Sequence, residues 1–162
     1  MKSIDDVVHR DLPAVALAVA GMLFSANAIA QDVAVRNVWA RATAPGQNTA
    51  SIYLEIVSNA DAALVGVTSP LAKSARMHTM RTEGGVMKMR AVQKIELPAR
   101  KSVTLAPGGL HIMLEGIGRP LRERDKIPIE LAIEGAGGKS MVRTEAEVRP
   151  ITTTSGPQLH SH

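Results

Sequence analysis

The chain has 162 residues, a formal net charge of +4 and no Cys, which predicts one domain with extensions. Without Cys we expect no disulfides, no acylated lipoprotein anchor and no thiolate metal ligands. No run of Lys and Arg is interleaved with aromatic residues, so we expect no binding of nucleic acid.

The N-terminus has the pattern of a secretory signal peptide. An uncharged apolar run, residues 12–24, is followed by small residues that end in the A-x-A pattern of Ala28 and Ala30. The run is shorter than the roughly 20 residues that cross a bilayer. We therefore predict export to the periplasm, with residues 1–30 removed by cleavage after Ala30, or after Ala28. The region before the apolar run is unusually acidic for a signal peptide, which indicates a misassigned start codon or a weak signal. A buried N-terminal helix is the alternative to a signal peptide.

From Asp32 onward, apolar and polar residues alternate over short segments, which is typical of strands with one buried face. Pro and Gly turn signals separate these segments. The predicted strands are 33–40, 51–57, 64–67, 95–97, 102–105, 127–134 and 141–148, together with the segments 77–91 and 110–115. Many short strands without a convincing amphipathic helix predict an all-β antiparallel sandwich or barrel. We assign residues 31–150 to this domain and residues 151–162 to a flexible polar tail.

Methionine and histidine are concentrated in the middle of the chain. Five of the eight Met and two of the five His lie between Met77 and Met113. Neutral thioethers combined with imidazoles favour a soft metal, above all Cu(I). Such a set offers no anionic ligand, whereas Zn sites draw on thiolates and carboxylates and Ca or Mg sites on oxygen. A blue-copper site would need a Cys.

The first half of this stretch reads as a hairpin that turns at Gly84-Gly85, a pair that favours two-residue primed turns. This turn puts Met80 opposite Met89 and places His78 diagonally across from Met89, within reach of long side chains. The prediction depends on that register, because a slip of one residue changes every pairing.

The second half alternates more clearly. Leu110, Ile112 and Leu114 are expected to face the core, so that His111 and Met113 point together to the opposite face. A Met used only for packing would sit in the Leu/Ile register. For any one of these residues alone, a structural role is the alternative, since Met often fills gaps in cores.

The spacing of four residues resembles that of the PCuAC-type periplasmic copper chaperones. His78 is followed after ten residues by Met89, then after twenty-one by His111 and after one more by Met113. The surrounding segments GGVMKMR and PGGLHIMLEG are also similar to the family's own. The resemblance covers the chain from about Asp32 to Pro150.

This resemblance implies a cupredoxin-like or immunoglobulin-like antiparallel β-sandwich that binds one Cu(I) at an exposed site. The implied ligands are His78, Met89, His111 and Met113. The implied role is delivery of copper to the binuclear centre of cytochrome c oxidase subunit II, alone or with a Sco-type thiol protein. The additional thioethers of Met77, Met80 and Met87 form a docking rim for copper or pack against the protein, and packing is favoured for Met87.

A smaller feature lies near the C-terminus. His160 and His162 form a His-x-His pair on the predicted tail, and nitrogen ligands suit Cu(II). The pair predicts a secondary Cu(II) site, with a tag remnant or a chance pair as the alternatives.

Three other functions are weighed against a copper carrier. A periplasmic copper buffer or resistance protein without a dedicated client has the same sequence pattern. An enzyme is not expected, because no Ser/His/Asp set, no paired carboxylates and no phosphate loop are evident, and no small-molecule substrate is implied. A non-metal β-sandwich interaction module leaves the shared face of His and Met unexplained.

Overall fold

A computed structural model describes residues 33–154, which form ten strands and no helix. The strands are β1 (Val33–Arg41), β2 (Thr49–Ser58), β3 (Ala62–Thr68), β4 (Ser74–Glu83), β5 (Val86–Val92), β6 (Ile95–Leu97), β7 (Ser102–Leu105), β8 (His111–Glu115), β9 (Lys126–Gly135) and β10 (Gly138–Arg149). The predicted all-β sandwich is confirmed. The described part of the chain has no helix long and apolar enough to cross a membrane. The predicted signal peptide and the His160 and His162 pair lie outside the described residues.

The strands follow the order β5-β4-β8-β2-β1-β10-β9-β3-β6, and β7 also pairs with β2. Only the β1–β10 pair is parallel among these described strands. The sheet folds over on itself, so that β2 also contacts β6. Strand β5 is at one end of the order and β6 at the other, which leaves the sheet open.

Aliphatic side chains from both halves of the folded sheet fill the core. On β2, Ile52, Leu54 and Ile56 are at most 1% exposed, and Leu131 and Ile133 of β9 are at most 2% exposed. All five belong to one buried cluster. Because side chains alternate between the two faces of a strand, this inward set leaves every second residue of β2, β4 and β8 on the outer face.

The outer face of β1 and β2 carries the chain's Trp and Tyr. Trp39 and Tyr53 are buried outside the main core cluster, with ring centroids 4.6 Å apart. The guanidinium of Arg149 lies over the Trp39 ring and that of Arg41 over the Tyr53 ring. Arg41 also donates a hydrogen bond of 2.6 Å to the carbonyl of Thr153, which ties the C-terminal segment to this face.

The β4–β5 hairpin has the register that the sequence predicts. Gly84 and Gly85 form its turn with φ angles of +61° and +79°, the two positive values of a primed turn. Met80 pairs with Met89, and His78 pairs with Ala91. The residues His78, Met80 and Met89 therefore share one face of the hairpin.

Candidate metal centre

The pairing of β4 with β8 brings the two halves of the His/Met stretch together. His78 lies directly opposite His111, and their ring centroids are 5.7 Å apart with the rings inclined at 65°. Strand β4, which carries His78, lies between β5 and β8. Met89 is on β5, and His111 and Met113 are on β8. Met89 of β5 is level with Met80, two residues beyond His78. Met113 of β8 is level with Arg76, two residues before it.

The four predicted ligands thus lie on the same outer face, with the imidazole pair in the middle. The two Met approach this pair from opposite directions along the sheet. Met113 is half-buried and also lies opposite Ser51 of β2. Met89 is 45% exposed. No group of three or more His, Cys, Asp or Glu that could hold a metal occurs within residues 33–154.

A backbone carbonyl fixes the tautomer of His111. Its Nδ1 lies 3.0 Å from the carbonyl oxygen of Gly109. A carbonyl can only accept a hydrogen bond, so Nδ1 carries a hydrogen, and in the neutral ring the free lone pair is on Nε2. Histidines that bind metals commonly have this arrangement, in which the second nitrogen is held by a hydrogen bond.

The same Gly109 carbonyl joins the two halves of the site. It also accepts a hydrogen bond of 3.1 Å from the backbone N–H of Met80. The turn before β8 is thereby attached to the β4–β5 hairpin. Sequence reasoning missed Gly109, because a backbone carbonyl leaves no signal in the residue type.

His78 has no hydrogen-bond partner for its ring. Its Nδ1 and Nε2 are the only buried side-chain polar atoms in the described range that lack one. Burial is the main cause of a lowered pKa for His78, and the charge of His111 lowers the pKa further, while Glu115 partly opposes the shift. The neutral imidazole that results is the form that binds metals. An unpaired buried nitrogen is destabilising on its own, and a metal ion would satisfy it.

His111 is more buried than the expected exposed site suggests. It is only 3% exposed, and its strand β8 lies between β4 and β2. The site therefore opens to solvent on the side of Met89 rather than at this imidazole.

The additional Met residues differ from one another. Met77 is 5% exposed and pairs with Ile112 in the core, so it packs. Met87 is 53% exposed, and the packing predicted for it is wrong. The reason is that β5 is the last strand of the sheet, where six of its seven residues are exposed.

The other face of the hairpin is charged. Glu83 accepts hydrogen bonds from Arg90 at 2.8 and 3.2 Å, and Lys88 lies 3.4 Å from the same carboxylate. These cations lower the pKa of the Glu83 carboxyl, with Arg90 as the larger cause. Exposed ion pairs of this kind add little stability. They keep charge on the face opposite to the His and Met donors.

Comparisons with known proteins identify the family of this chain. The family model "Putative lipoprotein LpqE-like" matches residues 33–145. A protein of Leifsonia xyli subsp. xyli called "Putative lipoprotein Lxx21020" is 34% identical over 103 residues, which are 63% of this chain. The match spans 62% of that relative's length.

Solved structures are similar over most of their length. The structure described as "apo PmoF2 PCuAC domain" has a TM-score of 0.61 at 27% identity, covering 76% of this chain and 94% of that one. "Copper-bound PCuAC domain from PmoF2" has a TM-score of 0.60 at 26% identity, and the match covers 74% of this chain and 93% of that one. The structure of CuI-DR1885 from Deinococcus radiodurans gives 0.54 at 30% identity, covering 75% and 83%. The chain belongs to the LpqE-like family, the family of the PCuAC-type domains.

Proposed function

We propose that this protein is a periplasmic copper chaperone that binds one Cu(I) and passes it to the binuclear copper centre of cytochrome c oxidase. The ligands in this proposal are His78, Met89, His111 and Met113. The observation that carries it is the pair of unpartnered ring nitrogens of His78, buried beside His111 on the face that also bears the two Met. Family membership and the copper-bound relatives favour copper as the cargo.

The donor chemistry supports the monovalent ion. Two imidazoles and two thioethers are neutral and soft, and two thioethers disfavour Cu(II). His111 would bind through Nε2, since its Nδ1 hydrogen faces Gly109. The site needs no redox change, which suits a binding role rather than catalysis.

The exposure of one ligand supports transfer. Met89 is 45% exposed at the sheet edge, whereas His111 is buried. Ligands of a partner protein can therefore replace Met89 first and the imidazoles afterwards, so that copper moves by stepwise ligand exchange.

The location and the client are the parts of the proposal that rest most on sequence. The signal-peptide pattern of residues 1–30 favours export, as does the relative's description as a lipoprotein, a class of exported proteins. Subunit II of the oxidase, with or without a Sco-type thiol protein, is the client that the family resemblance implies.

Titration with Cu(I) against a competing chelator tests the binding site. We expect the protein to bind one Cu(I), and the His78→Ala and Met113→Leu variants to bind it more weakly by more than ~100-fold, since even residues behind a ligand contribute ~10–100-fold. Met141→Leu is the matched control, because Met141 is 48% exposed on β10, away from the site. Equal affinity in all four proteins, or no binding, contradicts the proposal.

A transfer assay separates a chaperone from a copper buffer. The Cu(I)-loaded protein is mixed with the soluble copper domain of oxidase subunit II, and the metal content of each is measured after separation. A chaperone transfers its copper to that domain. If the protein retains its copper, delivery to the oxidase is refuted, although the proposed binding site is not.

A further inference from the structure

We propose that Met80, Met87 and Met89 form a second site, made only of thioethers, at which Cu(I) lands before it reaches the imidazoles. This proposal rests on the function proposed above, and it adds a point of entry at the edge of the sheet. It shares Met89 with the four-ligand site, so that an ion occupies one site or the other.

The hairpin register places the three thioethers together. Met80 and Met89 are directly opposite each other, and Met87 pairs with Thr82. Directly opposite residues have Cβ atoms ~4.5–5.5 Å apart, and diagonal neighbours such as Met80 and Met87 ~7–8 Å. All three side chains emerge from the same face, because 87 and 89 are two residues apart on one strand. The three rotatable bonds of Met let the sulfurs converge on one ion.

Packing does not explain this arrangement. Met87 and Met89 are 53% and 45% exposed, and Met80 is half-buried. A group of exposed thioethers binds soft metal cations preferentially. Met77 takes no part, because it pairs with Ile112 in the core.

A docking patch for an apolar partner fits less well. Val86 is the other strongly exposed apolar residue of the hairpin, at 60%, but it pairs with Glu83. Val86 therefore lies on the charged face, away from Met87 and Met89. The apolar side chains exposed on the site's face of β5 are thus thioethers, with the small Ala91 beside them.

Passage from one site to the other is a ligand exchange. Copper keeps its bond to Met89 while a bond to a sulfur of Met80 or Met87 breaks and a bond to a ring nitrogen of His78 forms. The ion stays monovalent and every donor is neutral, so no electron is transferred and no oxidant is needed. The imidazoles make the second position the tighter one.

Binding measured without the imidazole site tests the proposal. In a His78→Ala/His111→Ala/Met113→Leu background we expect Ag(I), used as a redox-inert probe, to bind weakly at one equivalent. X-ray absorption should show sulfur neighbours only. Adding Met80→Leu and Met87→Leu should abolish this binding, whereas adding Met141→Leu should leave it unchanged. If the background variant binds no Ag(I), or if Met80→Leu/Met87→Leu has no effect, the landing site is refuted.

Kinetics in the otherwise native chain provide a second test. Met80→Leu/Met87→Leu should slow Cu(I) loading from a chelator complex severalfold, with a much smaller effect on the final affinity. Unchanged loading contradicts the landing site and leaves the four-ligand site untouched. Weak final binding in the native chain itself would instead count against the function proposed above. Thermal melts verify folding, and Leu for Met conserves volume.

Discussion

Two hairpins of this protein each have a short turn that contains glycine, but their surroundings are opposite. The β9–β10 hairpin lies inside the sheet, between β1 and β3, and buries Ile127, Ile129, Leu131 and Ile133 to 2% exposure or less. The β4–β5 hairpin lies at the end of the sheet, and in it only Met77 is comparably buried, at 5%. The same alternation of side chains thus packs the core in one hairpin and displays donors in the other.

This difference separates stability from binding. An apolar side chain on a strand with neighbours on both sides stabilises the fold through its buried area. A donor at an open edge contributes little to folding and stays accessible to a metal or to a partner. Substitutions in the two hairpins should therefore affect different measurements.

The largest effect is expected in the inner hairpin. Leu131 is fully buried, so Leu131→Ala should lower the free energy of unfolding by ~2–5 kcal/mol, because it removes apolar contacts and leaves a cavity. Val86→Ala, at a 60% exposed position of the edge hairpin, should change it by less than ~0.5 kcal/mol. Urea denaturation measures both. Equal losses of unfolding free energy in the two variants would contradict the proposed difference between the hairpins.

A ligand of the edge hairpin should give the reverse result. Met89→Leu conserves volume at a 45% exposed position, so the melting temperature should hardly change. The affinity for Cu(I) should fall by more than about tenfold, or ~1.4 kcal/mol. Chelator competition and thermal melts on the same sample measure the two quantities. A large drop in stability with unchanged affinity would make Met89 a packing residue.

One glycine with positive φ from each hairpin sharpens the comparison: Gly85 lies in the β4–β5 turn, and Gly138 is the first residue of β10, directly after its turn. Gly85 and Gly138 have φ angles of +79° and +101° and open space around them, so an added Cβ meets strain but no clash. Gly85→Ala and Gly138→Ala should each cost ~1–2 kcal/mol of stability. Only Gly85→Ala should also weaken Cu(I) binding, because its turn sets the register of Met80 and Met89. Equal copper affinity in both variants would show that the register survives the strain.

The smallest effect is a dependence on pH in the metal-free protein. Burial, followed by the charge of His111, lowers the pKa of His78 in the folded chain below its ordinary value of 6.5. The unfolded chain then binds more protons, so stability should decrease as the pH falls below 6.5 and level off below the folded pKa. Melting temperatures between pH 7.5 and 5 measure this loss, and His78→Gln should reduce it. The inner hairpin has no His and should add nothing to it. An identical pH profile in the variant would contradict the assigned cause.

Local pattern was sufficient for several features of the site. Gly84 and Gly85 determined the turn, and from it the period of two gave the pairing of Met80 with Met89. The alternation in β8 assigned Ile112 to the core and Met113 to the outer face. These features depend on neighbours within a few residues along the chain, which the sequence displays directly.

The sequence by itself determined the strands, the turns and the face on which each donor lies. Only the tertiary structure decided that β4 pairs with β8, which sets His78 against His111, and that β5 ends the sheet, which leaves Met87 exposed. The physical reason is the distance along the chain over which each interaction acts. Alternation and turn preference act between adjacent residues, whereas the choice of strand neighbours and the burial of His111 depend on how the whole core packs.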